Sequence, residues 1–302
     1  MTQPDSPDTL QRQLAEQRYI ADDTVATVAF LAIAMRRPLL IEGPAGVGKT
    51  ELARQLAAAC ELPLIRLQCY EGLDESKALY EWAYARQLLY IQLLKEKVDA
   101  LTDGATGLRE AIEALARHED AFFSERFLLH RPLLQALQTP EGAVLLIDEV
   151  DKSDPEFEAF LLEFLADFAV TIPELGTVRA ATPPVVVLTS NDQRDLSDAL
   201  KRRCLYLYID YPAPELEESI IAARVPEAGE SLRREAMAFI REVRALDLRK
   251  PPGISESIDW VRSLGALKLE TLAGPRLRYT LSALLKHHGD LRRAIDALTP
   301  AP

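Results

Sequence analysis

The chain has 302 residues, enough to bury an α/β core with one smaller companion domain. Its apolar fraction of 48% and charged fraction of 27% are ordinary for a globular protein, while a net charge of −12 works against bulk binding of DNA or RNA, which needs a basic field. Three cysteines, Cys60, Cys69 and Cys204, form no C-x-x-C pair, which argues against a cysteine metal cluster and for reduced thiols in the cytoplasm.

Met1 to Asp8 is polar and acidic, without the basic flank and apolar core of a secretion signal. Residues 21–35 read as a helix opening at Asp22 and Asp23; its densely apolar stretch is too short to span a bilayer and suits packing against a sheet. Pro38-Leu39-Leu40-Ile41 is a short strand, and Gly43 to Thr50 follow it as GPAGVGKT. Glu51 onwards continues as an Ala- and Leu-rich helix to residue 59.

Strand, glycine loop and helix start in that order suit a nucleotide phosphate. Gly43, Gly46 and Gly48 let the backbone turn tightly, so that N–H groups of the loop converge on an anion at the helix N-terminus. Pro44, Ala45 and Val47 complete the loop; Lys49 supplies charge to the β- and γ-phosphates, and the Thr50 hydroxyl is placed to ligate Mg²⁺.

Residues 64–69 form the next apolar strand. From Asp74 to Gln138 the pattern is mostly helical, broken at 102–107, with no catalytic constellation; His118 and His130 read as surface or core histidines. Residues 143–147 then make a buried strand ending in Asp148-Glu149. One carboxylate for the metal shell and one to orient or deprotonate water is what phosphoryl transfer to water requires, and Asp148 and Glu149 fit those roles in turn.

Ser153 or Asp154 caps a helix with Pro155 in its first turn, along which Phe157, Phe160, Leu161, Phe164, Leu165 and Phe168 form a core face. Residues 170–173 and 177–179 predict a hairpin around Glu174-Leu175-Gly176. Strands through Leu40, Leu67, Leu146, Val187 and Tyr206, alternating with helices, predict a parallel five-stranded sheet between helices. After Tyr211-Pro212-Ala213-Pro214 only helices are expected, at 215–224, 231–248, 255–267 and 276–287. The division is therefore an α/β core over 1–210, with a helical insertion near 74–138 and the hairpin at 170–179, and an all-α unit over 211–302. Adjacent His287-His288, near the end of the last helix, point about 100° apart and suit a helix surface.

These motifs together resemble the AAA+ ATPases, and within them the MoxR family, CoxD-like branch. The stretch 185–191, VVVLTSN, resembles the strand that ends in the sensor 1 residue, here Asn191. The segment 196–204, LSDALKRRC, is similar to the one that presents an arginine finger to the next subunit, which assigns that role to Arg203 with Arg202 beside it. The resemblance covers roughly residues 15–290. It implies an AAA+ P-loop core followed by a helical lid, ATP and Mg²⁺ as cofactors, Tyr19 and Ile20 near the adenine, and Glu51 at the phosphate loop.

It further implies a homo-oligomer, usually a hexameric ring, acting as a chaperone-like remodeller. The client would be a metalloenzyme, such as a molybdenum hydroxylase, under maturation or metal insertion, often beside a partner with a von Willebrand factor A domain. The hairpin would face the central pore, with Leu175 as a client contact. One departure stands out: where many lids carry a sensor 2 arginine, this chain reads Gly253-Ile254-Ser255-Glu256-Ser257, with Lys250 and Arg262 the nearest cations and Glu256 suited to the helix start. Other classes compatible with the motifs are a DNA-remodelling motor or loader, a nucleotide-gated binding module with little turnover, and a small-molecule P-loop kinase.

Overall fold

The computed structural model describes residues 4–93, 125–173, 175–269, 271–272 and 276–298. The break at 102–107, His118 and Glu174 lie outside them. Five parallel strands form the central sheet: β1 (Leu39–Glu42), β2 (Leu64–Gln68), β5 (Val144–Asp148), β8 (Val185–Ser190) and β9 (Leu205–Tyr208), in the order β2-β5-β8-β1-β9.

Alternation along the strands sends neighbouring residues to opposite faces, and two separate apolar clusters receive them. Leu39, Ile41, Val144, Leu146 and Val187 pack under α1 (Pro7–Glu16), α2 (Asp23–Ala34) and α3 (Lys49–Ala59). Leu40, Leu145, Ile147, Val186 and Leu188 pack on the other face with α6 (Pro132–Gln138) and α7 (Pro155–Asp167). Helices cover both faces, as expected where the inner strands β5, β8 and β1 are largely apolar and buried.

Helix α1 was not foreseen in the sequence. It starts at Ser6, whose hydroxyl accepts from Thr9 N–H at 3.2 Å, with Pro7 in the first turn, and it buries Leu10 and Leu14. Helix α2 starts at Asp22, whose carboxylate accepts from Val25 N–H at 2.7 Å. Asp154 occupies the position before α7, yet its carboxylate accepts from Gly72 N–H at 2.9 Å, outside that helix. The α7 stripe is a core face, with Phe157, Leu161, Phe164 and Leu165 buried and Phe160 and Phe168 packed at its edge.

Between 74 and 138 the described residues are mostly helical, and they also hold a strand pair that the sequence does not announce. Beside α4 (Glu75–Ala78) and α5 (Tyr84–Leu93), the described residues include the antiparallel pair β3 (Tyr80–Trp82) and β4 (Leu128–His130). Each strand is three residues long, too short to show a period of two against helical neighbours. The hairpin is formed by β6 (Ala169–Ile172) and β7 (Gly176–Arg179), and Leu175 at its tip is half-buried against the core cluster.

The C-terminal helices are α9 (Pro214–Arg224), α10 (Glu230–Ala245), α11 (Ile254–Ala266), α12 (Leu277–Leu284) and α13 (His288–Leu298). They share a core of their own around Trp260, whose indole N–H donates to Thr280 Oγ1 at 2.8 Å. Buried Glu217 on α9 accepts a bidentate pair from Arg244 on α10, at 2.6 and 2.8 Å. The architecture is thus an α/β core followed by a helical lid. His288 begins α13 and does not end a helix, because Leu285 leaves the helical region and the chain turns before restarting. Among the described residues no helix is long and apolar enough to cross a membrane.

Candidate functional site

Parallel strands deliver their carboxyl ends to one edge, where open α/β sheets hold ligands. Here β1 ends in the GPAGVGKT loop, β5 in Asp148-Glu149 and β8 in Ser190-Asn191. Gly43 has φ +148°, and a Cβ on it would lie 2.0 Å from Ile209 O, so the loop leaves β1 pressed against the exit of β9. Gly43→Ala should therefore destabilise by more than the roughly 1–3 kcal/mol of ordinary overpacking. Gly265→Ala, in a helix with open space around it, should leave the unfolding midpoint unchanged or raise it; comparing thermal unfolding of the two variants checks this.

Lys49 is buried, and its ammonium donates to Gly43 O at 2.7 Å, Pro44 O at 2.6 Å and Asn191 Oδ1 at 2.9 Å. Burial pushes its pKa below the ordinary lysine value, and the carboxylates of Asp151, Asp148 and Glu149 oppose that shift. Thr50 Oγ1 donates to Asp148 Oδ1 at 2.9 Å. A hydroxyl and a carboxylate oxygen at this spacing are hard donors that fit Mg²⁺ bound together with phosphates.

Glu149 adopts φ +56°, ψ +51°, an uncommon conformation for a non-glycine residue. Its carboxylate accepts from Asn191 Nδ2 at 3.1 Å, Gln68 Nε2 at 2.8 Å and Lys152 Nζ at 2.7 Å. Asn191 thereby touches both Lys49 and Glu149, joining the phosphate loop to the second carboxylate.

Several partners were not foreseen. Arg66 donates to Asp148 Oδ2 through Nε at 3.0 Å and through Nη2 at 2.5 Å, and Thr189 Oγ1 donates to Asp148 Oδ1 at 2.6 Å while accepting from Glu149 N–H at 2.9 Å. Buried Asp151 accepts from the N–H groups of Asn191 and Gln193, each at 3.1 Å, which holds the chain after β8 in place. The pairing of β2 with β5, which sets Gln68 beside Asp148, brings Arg66 to Asp148, and the pairing of β5 with β8 brings Thr189 there. Only the polar character of Arg66 and Gln68 within an apolar strand hints at it in sequence.

A cavity of about 360 Å³ lies over the loop, lined by Ala45, Gly46, Lys49, Thr50, Asp148, Glu149 and Asn191 and also by Arg54 and Ser255. A second of about 610 Å³ shares Gly48, Glu51 and Ser255 with it and is lined by Tyr19, Ile20, Val47, Ile220, Ile254 and Ile258. The first is polar and phosphate-sized, the second largely apolar and large enough for a nucleoside. Tyr19 lies against the loop, 3.8 Å from where a Gly48 Cβ would be, and burial pushes its phenol pKa up.

The lid touches the loop directly. Ser255 donates to Gly46 O from both N–H and hydroxyl, each at 3.2 Å, and Glu256 accepts from Gly253 N–H at 3.1 Å, as a helix-start carboxylate does. Arg224, at the end of α9, pairs with Glu51, whose carboxyl lies below its ordinary range because the bonds from Arg224 and Gln55 outweigh the effect of burial. Neither Lys250 nor Arg262 lines either cavity; Arg262 pairs with Asp259 at 3.7 Å.

Arg202 and Arg203 also line neither cavity of their own chain. They end α8 (Asp198–Arg203) as exposed side chains, and Arg203 Nη1 donates to Leu162 O at 2.8 Å.

Residues 38–204, over half of the chain, match the family model described as AAA domain (dynein-related subfamily). The chain is similar to an uncharacterized protein of Staphylococcus haemolyticus, 24% identical over 259 residues that cover 83% of this chain and 84% of the relative. Uncharacterized proteins of Staphylococcus epidermidis and Staphylococcus aureus are each 24% identical over 251 residues, covering 81% of both chains.

Proposed function

The chain belongs to the AAA domain family, dynein-related subfamily, and from that membership and the geometry of its site we propose a Mg²⁺-dependent ATP hydrolase that remodels a protein client. The observation that carries this reading is the meeting of three strand ends, in which Asn191 bonds both Lys49 and Glu149 while Thr50 bonds Asp148.

ATP fits with its phosphates over the loop and its base between Tyr19, Ile20 and the lid. Mg²⁺, which would be held by Thr50 and Asp148, neutralises phosphate charge when bound. Glu149 accepts the proton of the attacking water, oriented by Asn191. Lys49 binds the β- and γ-phosphates, and Arg203 of one subunit reaches the site of the next, with Arg202 beside it.

Within the family we place the chain in the MoxR branch, CoxD-like, as a ring-forming, chaperone-like protein of the cytoplasm, six subunits to the ring. Its client on this reading is a metalloenzyme, such as a molybdenum hydroxylase, receiving its metal or cofactor, and a protein with a von Willebrand factor A domain is its companion. Among the lid residues that line the cavities, Arg224 is paired with Glu51 and Ser255 bonds Gly46 O of the loop, and these two contacts tie the lid to the nucleotide-binding core. Hydrolysis would loosen these contacts and swing the lid.

The test has two arms. Phosphate release in a single turnover of Mg²⁺-ATP should be lost on chelation with EDTA; no release with Mg²⁺ present would turn the reading to a nucleotide-gated binding module. Tagged Glu149→Gln loaded with Mg²⁺-ATP in source-cell extract should then retain a metalloenzyme subunit or a von Willebrand A protein that Lys49→Ala does not. Retention of replication or repair proteins would favour a DNA motor.

A further inference from the structure

A third arginine stands behind Arg202 and Arg203. Helix α2 ends in a left-handed turn, in which Arg36 has φ +53°, Arg36 N–H donates to Ile33 O at 3.2 Å and Arg37 N–H donates to Ala32 O at 3.0 Å. This paired closure is a Schellman stop, so the helix behind Arg37 holds its backbone. Pro38 follows, its carbonyl accepting from Leu205 N–H at 2.7 Å, and β1 begins at the next residue.

From that fixed base the Arg37 side chain reaches the end of α8. Nη2 donates to Arg202 O at 2.8 Å and Cys204 O at 3.2 Å, and Nε donates to Arg203 O at 3.3 Å. The last carbonyls of a helix have no partners within it. A guanidinium offers several donors in one plane, and its charge suits the carbonyl end of a helix dipole.

Helix α8 has six residues, too few to hold its own shape. Its start is anchored by the Ser197 hydroxyl, which accepts from Leu200 N–H at 3.4 Å, and by Ser197 N–H, which donates to Glu158 Oε2 at 2.9 Å. Its end is anchored by Arg37. Arg37 lines neither cavity of the nucleotide site, so its bonds serve the three residues that carry the two exposed arginines.

We propose that Arg37 is a positioning residue for hydrolysis in the neighbouring subunit. By holding the carbonyls of Arg202, Arg203 and Cys204 it sets the direction in which Arg203 leaves the surface. It also ties that direction to the segment running into β1 and the phosphate loop of its own subunit. The proposal rests on the reading of Arg203 as a residue that acts in trans.

The test uses full-length Arg37→Ala and Arg37→Lys, since a lysine ammonium lacks the planar fork that spans the three carbonyls. If the alanine variant fails to fold, the lysine variant carries the experiment. Either should bind ATP as the parent does and lose on the order of tenfold or more in turnover, because small misplacements of a reacting group carry large rate penalties. Parental turnover in both would overturn the proposal.

A merely structural role predicts the same loss, so the decisive readout is a mixture with Glu149→Gln. That variant lacks the water-activating carboxylate but keeps Arg37 and Arg203. In a head-to-tail ring, a random equal mixture leaves about a quarter of sites with a working Glu149 and an intact arginine across the boundary. Phosphate release should rise above that of either variant alone, and Arg203→Ala mixed with Glu149→Gln should recover in the same way. A dead Arg203→Ala mixture would remove the trans role of Arg203, and the proposal with it. Recovery with Arg203→Ala but not with the Arg37 variant would overturn the proposal alone, showing that Arg37 serves its own site or the fold.

Discussion

Glu149→Gln is expected to bind ATP and to lose turnover by about 10²–10⁴-fold, the range a positioned general base contributes. The side chain is close in size and shape, and its remaining oxygen can keep the bonds from Gln68 at 2.8 Å and Lys152 at 2.7 Å, which share one carboxylate oxygen, while the new amide nitrogen gives up the bond from Asn191 at 3.1 Å. Lost are the charge and the basic oxygen that takes a proton from water. Binding should change little, because Glu149 holds neither the loop nor Lys49. Comparing a nucleotide titration with phosphate release in one turnover separates the two effects. Comparable turnover in variant and parent would remove Glu149 from the chemistry.

Lys49→Ala acts one step earlier, on binding. The ammonium is buried and points at Gly43 O, Pro44 O and Asn191 Oδ1, all within 2.9 Å. A phosphate entering the cavity would meet a desolvated cation already aimed by these bonds. A hydrogen bond to a charged group contributes about 1.5–3 kcal/mol, so losing one or two should weaken ATP by on the order of 100-fold or more in Kd. The parent should gain about 2.7 kcal/mol of stability at 100 times its Kd. At that nucleotide concentration, the variant should show almost no shift in its thermal midpoint. A full shift in Lys49→Ala would mean that the nucleotide binds elsewhere. Lys49→Met, which keeps the apolar stem, controls for packing.

Much of this site is written locally. GPAGVGKT between an apolar strand and an Ala-rich helix could be read directly, because glycine spacing and helix starts depend on residues within a turn of one another. The same holds for Asp148-Glu149 at the end of β5, and for Asn191 at the end of β8. The short pair β3 and β4 escaped detection because three-residue strands carry no periodicity, and α1 because it is polar overall, with two buried leucines behind a Ser6-Pro7 start.

What each carboxylate touches was a different matter. Arg66 and Asp148 lie 82 positions apart and meet only because β2 pairs with β5 in a register that sets Gln68 beside Asp148. Glu51 and Arg224 lie 173 positions apart and meet because the lid folds back over the core. Arg37 reaches the end of α8 because β1 and β9 are neighbours in the sheet. Strands buried on both faces read as continuous apolar runs, which announce a strand but not its neighbours or register. The sequence by itself therefore determined the phosphate loop, the paired carboxylates and the alternation of strand and helix, since covalent spacing and local conformation decide those. Tertiary structure alone decided which side chains hold Asp148, Glu149 and Arg203 in place, since strand order and lid packing bring together residues that no local pattern relates.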